Sequence, residues 1–124
     1  NMDSQRQIRF GELIRNLISD CLLKEDFYES NINSESITVS FVKMSKDLKI
    51  ANVYFMPLGG KNKLNILESL NKNKFIFQKY LSKAKINSKF TPKLSFYLDD
   101  TFDEAEKIEK LLQNKNVIRD IKNE

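Results

Sequence analysis

Ser36-Ile37-Thr38-Val39-Ser40-Phe41-Val42-Lys43-Met44-Ser45-Lys46-Asp47-Leu48-Lys49-Ile50-Ala51-Asn52-Val53-Tyr54-Phe55-Met56 decides the fold class. From Ser36 to Met44 the pattern has period two, with Ile37, Val39 and Phe41 on one face and Thr38 and Ser40 on the other, as in a strand with one buried face. A second strand is expected from about Leu48 to Met56, with Ala51, Val53 and Phe55 facing one way and Asn52 and Tyr54 the other. The residues between them, Met44 to Asp47, are short enough for a hairpin, so the pair is antiparallel. Pro57 and Gly59-Gly60 end the second strand.

Upstream of this pair, Ser4 can cap a helix whose apolar positions Phe10, Ile14, Leu17, Ile18 and Cys21 recur at spacings of three and four. Gly11 weakens that helix by about 1 kcal/mol relative to Ala. The polar stretch from Glu29 to Glu35 reads as a loop. Downstream, the helical period returns from Lys61 to Lys85. Ile66, Leu70, Phe77, Leu81 and Ala84 share one side, and Lys61, Lys72, Lys79 and Lys83 line the other. Positions 71 to 74 hold no apolar residue, and Phe75 falls among the lysines of a straight helix. Asn71-Lys72-Asn73-Lys74 is therefore expected to break or kink it.

Pro92 precedes a third strand in which Leu94, Phe96 and Leu98 alternate with Ser95 and Tyr97. Asp99, Asp100 or Thr101 can cap a last helix through Gln113, its apolar side carried by Ala105, Ile108, Leu111 and Leu112, and residues 114–124 are expected to fray. The order describes a single α+β domain over residues 1–124, with helices on one face of a three-stranded sheet. It is the order of a type II KH arrangement. Thr38, Ser40, Asn52, Tyr54, Ser95 and Tyr97 are left for the open face.

Length and composition narrow the function. A chain of 124 residues suits one core, and 40% hydrophobic with 31% charged residues gives that core a heavily solvated surface. Apolar runs as short as Val53 to Met56 cannot span a membrane, and the polar N-terminal segment does not read as a secretory signal, so a cytoplasmic protein is expected. With no His and one Cys, the usual zinc sites and Ser-His or Cys-His catalysis are excluded. The acidic residues form no paired motif, so neither an enzyme nor a cofactor is expected. Cys21 among apolar neighbours is read as a small hydrophobe.

The net charge of +4 suits a polyanionic partner, although some of the lysine excess is of the kind that A/T-rich codons produce. Placement says more: between Glu68 and Asp99 there is no acidic residue, while Lys72, Lys74, Lys79, Lys83, Lys85, Lys89 and Lys93 all fall in that interval.

At this point the residues resemble a known family. Val39 to Tyr54, above all Ser45-Lys46-Asp47-Leu48 and Ala51-x-Val53-Tyr54, is similar to the central strand pair of the ribosome-binding factor A family. Pro92-Lys93-Leu94-Ser95-Phe96-Tyr97-Leu98-Asp99 resembles that family's Pro-x-Leu-x-Phe-x-x-Asp signature. The resemblance implies a monomeric, non-catalytic KH-like domain without a cofactor. It would bind the small (30S) ribosomal subunit and its 16S rRNA during late assembly, beside other assembly factors and in connection with cold adaptation. It also implies an RNA surface at a helical kink, usually marked Ala-x-Gly, where this chain has Lys72-Asn73-Lys74.

The candidate RNA-binding residues are accordingly Lys72, Asn73, Lys74, Lys79, Lys83, Lys85 and Lys89, with Arg6 and Arg9 from the first helix. The plainer reading of the lysines is a solvated helix face, and of the arginines an ordinary exposed helix balanced by Glu12 and Asp20. Phe75 is expected to pack into the core after the kink; exposed, it could stack on a base. Tyr54 and Tyr97 are expected to be ordinary solvent-facing residues, and side by side they would form a stacking platform. A protein-interaction module for an acidic partner is the competing function, and a carboxylate enzyme stands third.

Overall fold

Ser4 Oγ accepts from Gln7 N at 3.1 Å while Gln7 Oε1 accepts from Ser4 N at 2.9 Å, a capping box that starts helix α1 (Gln5–Lys24). The computed structural model describes residues 3–27, 30, 32–58, 63–84, 86, 90–99, 109 and 111–113. Ile14, Ile18 and Cys21 of α1 are fully buried, and Phe10 and Leu17 pack beside them. Gln7 is buried too, where its amide donates to Met44 O at 3.1 Å and so satisfies itself on the sheet. Gly11 has a packing reason: a Cβ there would lie 2.5 Å from Val42 O, so α1 can lie this close to the sheet only without a side chain.

A short 3₁₀ turn at Ser34–Ser36 leads into β1 (Ile37–Met44), which pairs antiparallel with β2 (Ile50–Pro57) as expected. The face assignment of β1 needs correction after Val39. Val39 pairs with Phe55 and Phe41 with Tyr54, so Ser40 is an extra residue, a β-bulge that reverses the alternation. Ile37 and Val39 point inward before it and Val42 and Met44 after it. Phe41 turns to the open face, 43% exposed.

The hairpin loop is longer than expected, because Leu48 and Lys49 belong to the turn and β2 begins at Ile50. Ser45 Oγ donates to Asp47 Oδ1 at 2.6 Å and accepts from Ile50 N at 3.0 Å, and Lys49 N donates to the same carboxylate at 3.1 Å. The Ser45 hydroxyl and the Lys49 N–H hold the exposed Asp47 carboxyl below its ordinary pKa. Leu48 takes a left-handed φ of 61°, unusual for a branched residue, and its buried side chain offsets that cost.

Helix α2 (Lys63–Lys72) and helix α3 (Lys74–Lys83) are separated at Asn73, within the stretch where the sequence loses its apolar phase. Leu70, Phe77 and Leu81 are buried on the sheet side. β3 (Lys93–Leu98) then runs parallel to β2, giving the order β1-β2-β3 with Leu94 and Phe96 facing the helices. Phe77 joins the layers, with its ring 5.3 Å from Phe27 and 5.0 Å from Phe96. The result is the expected α+β, type II KH-like arrangement. The expected last helix falls outside the described residues except at 109 and 111–113, which are helical, with Leu111 and Leu112 exposed.

Candidate nucleic-acid interface

The break at Asn73 is built from side-chain amides rather than from glycine. Asn73 has φ −111° and ψ 23°, in the bridge region open to any residue, so the position does not need the left-handed freedom of Gly. Its amide nitrogen donates to Ser69 O at 2.8 Å, and its backbone N donates to the same oxygen at 3.0 Å. Two donors thus end α2 on one carbonyl, and Ile76 N takes up Asn73 O at 3.1 Å to start the next turn.

The change of phase brings Phe77 inward and leaves Phe75 outward, 64% exposed. The expected core role of Phe75 is therefore corrected: Phe77 already fills the space between Phe27 and Phe96. Lys72 and Lys74 flank the break in the open, and Lys79 and Lys83 are exposed on α3. Phe75, Lys79 and Lys83, spaced by four, line one hollow together with Ile76 and Tyr80. Glu25 and Asp26, at the end of α1, line the same hollow. The interval without acids in the sequence is thus bordered by two carboxylates in space.

Arg6 and Arg9 lie elsewhere. With Phe10 and Leu13 they line a separate hollow toward the start of α1, and at 1.5 Å per residue Arg9 is roughly 24 Å along the helix from Glu25. Arg9 reaches Gln5 Oε1 at 3.5 Å, and Arg15 pairs with Glu12 at 2.5 Å. Lys85 and Lys89 fall outside the described residues.

Burial, reinforced by Glu25, pushes the Cys21 thiol up to about 12, so it stays protonated. Among the described residues no cluster of carboxylate, Cys or His side chains could hold a metal ion, and no helix is long and apolar enough to cross a membrane.

The sequence profile of ribosome-binding factor A matches residues 6–112. The chain belongs to the ribosome-binding factor A family. A ribosome-binding factor A of Afipia carboxidovorans is 45% identical over 118 residues, covering 95% of this chain and 83% of that protein. One of Methylobacterium sp. (strain 4-46) is 42% identical over 118 residues, covering 95% and 84%. The solution structure of a Thermotoga maritima protein described as a candidate ribosome-binding factor A superimposes with a TM-score of 0.62 at 26% identity, covering 78% of this chain and 91% of that one. The crystal structure of ribosome-binding factor A from Thermus thermophilus gives a TM-score of 0.60 at 15% identity over 74% and 94%, a likeness of fold.

The expectation of ordinary solvent-facing residues at Tyr54 and Tyr97 is corrected, because the two rings stack side by side as in the alternative reading, and Phe41, which the sequence places on the buried face, joins them. Phe41, Tyr54 and Tyr97 stand in one row across the three strands, with ring centroids 4.4 Å and 5.3 Å apart. The signal was present: Ile37 and Val39 are odd-numbered and Val42 and Met44 even-numbered, so one residue between them had to be extra.

Proposed function

We propose that the protein binds the 16S rRNA of the small (30S) ribosomal subunit and assists the subunit's late maturation and rRNA processing. It acts as a cytoplasmic, monomeric, non-catalytic factor among other assembly factors, and its use grows in the cold. The observation that carries this reading is the exposed set Lys72, Lys74, Lys79 and Lys83 around the Asn73 break, in a chain whose relatives are named for ribosome binding. Lysine ammonium groups suit phosphate as point charges, so this surface positions the protein on RNA without reading bases. Phe75, exposed between Lys74 and Lys79, supplies a ring on which one unpaired base can stack.

Binding to an immature subunit, followed by departure once that RNA is remodelled, requires only differential affinity for the two states. Titration of the purified protein against immature and mature small subunits at matched salt tests the reading. Tighter binding to the immature form is expected. Equal affinity, or nucleotide hydrolysis by the protein alone, would overturn the maturation role.

A further inference from the structure

The sheet face turned away from the helices carries a second chemistry. Phe41, Tyr54 and Tyr97 are direct cross-strand neighbours, and their rings stack at interplanar angles of 16° and 26°. Strands lie about 4.8 Å apart, so rings that stand up from adjacent strands meet face to face. The ladder therefore consumes both faces of Tyr54 and leaves the outer faces of Phe41 and Tyr97 unused; these two rings are 43% and 44% exposed. It differs from a platform of splayed rings on which bases lie flat, because a base can join this one only at its ends.

The next row along the sheet is Lys43, Asn52 and Ser95, paired with one another across the same strands. Lys43 beside Phe41 and Ser95 beside Tyr97 thus stand next to the two open ends of the ladder, and Asn52 lies beside the central Tyr54. The three strands contain no carboxylate, and Lys43 adds a cation next to Phe41. A ring row with a polar row beside it matches the two needs of a nucleobase, a π-face and hydrogen-bonding groups.

We infer that this open face is a second RNA contact, on which unpaired purine bases extend the Phe41–Tyr54–Tyr97 stack at its two outer faces. The inference rests on RNA being the ligand and adds a means of telling states apart. Unpaired bases are available in an immature RNA and are withdrawn when they pair, so the ladder binds the first state better than the second.

The test is aromatic-detected NMR of the full chain titrated with short oligoadenylate and, separately, with an abasic ribose-phosphate chain of equal length. Oligoadenylate is expected to move the Phe41 and Tyr97 ring resonances upfield, and the abasic chain to leave them in place. Phe41→Ala and Tyr97→Ala should each weaken oligoadenylate binding about tenfold, with Phe41→Tyr and Tyr97→Phe retaining it and the salt slope unchanged. Ring resonances that stay fixed in the unsubstituted protein while α2 and α3 amides respond would overturn the ladder and spare the helical surface. Ring shifts produced by raising protein concentration without RNA would assign the face to a second copy of the chain, and would also overturn it. Silence on both faces would overturn the RNA reading itself.

Discussion

The side-chain amide of Asn71 brackets the peptide of Phe96: its Oδ1 accepts from Phe96 N at 2.9 Å and its Nδ2 donates to Phe96 O at 3.1 Å. In this way α2 supplies the two hydrogen bonds that a further strand would make to β3, and it ties the helix that ends in the break to the strand that bears Tyr97. Asn71→Ala leaves a part-buried N–H and C=O unpaired, and a loss of about 1–3 kcal/mol is expected. Urea unfolding with an unchanged slope checks it.

Gly11→Ala should destabilise the protein although Ala favours helix by about 1 kcal/mol, because the new methyl meets Val42 O at 2.5 Å and α1 must move off the sheet. A fall of about 1–3 kcal/mol is expected, as for other overpacked sites. A raised melting temperature would show that the helix has room to shift.

Phe75→Ser and Phe77→Ala should separate the two sides of the break. The first exposes little that was buried and is expected to change stability by less than about 0.5 kcal/mol, the second to cost about 3–5 kcal/mol. Comparable losses in thermal unfolding would contradict the phase change at Asn73.

How much of this was legible beforehand follows from where each signal resides. The period-two run, the capping Ser4 and the phase loss at residues 71–74 are local patterns, and they marked the strands, the first helix and the break correctly. The outward turn of Phe41 was missed because a bulge is a property of a strand pair; one strand shows it only through the parity change between Val39 and Val42. Phe75 was assigned to the core because burial of large aromatics is favourable, but Phe77 occupies the one place between Phe27 and Phe96. Glu25 and Asp26 lie far from the lysines in sequence, so only the packing of α1 against α3 brings them to the same hollow. The Asn71 bracket likewise joins residues 25 positions apart, and nothing local announces it.

Cys21 should make stability pH-dependent on the alkaline side. Its thiol is raised from 9.0 in the ordinary state to about 12 in the fold, so the unfolded chain loses this proton first. The Cys21 contribution is fully present below pH 9.0 and declines as pH rises toward about 12. Chemical denaturation across that window, set against Cys21→Ala, is expected to show a steeper alkaline loss for the unsubstituted protein. The thiol should also resist alkylation at neutral pH until the chain is unfolded.

The central claim, that α2 and α3 hold RNA by its phosphates, is tested most directly by measuring small-subunit RNA affinity against salt for the protein and for its Lys72→Glu, Lys79→Glu, Lys83→Glu triple variant. Each lost phosphate contact flattens the slope of log affinity against log salt by about 0.7–0.9, so the triple variant should bind more weakly with a slope lower by about 2–3. Circular dichroism should show its fold intact, since all three side chains are exposed. A folded triple variant with unchanged affinity and unchanged slope would contradict the account.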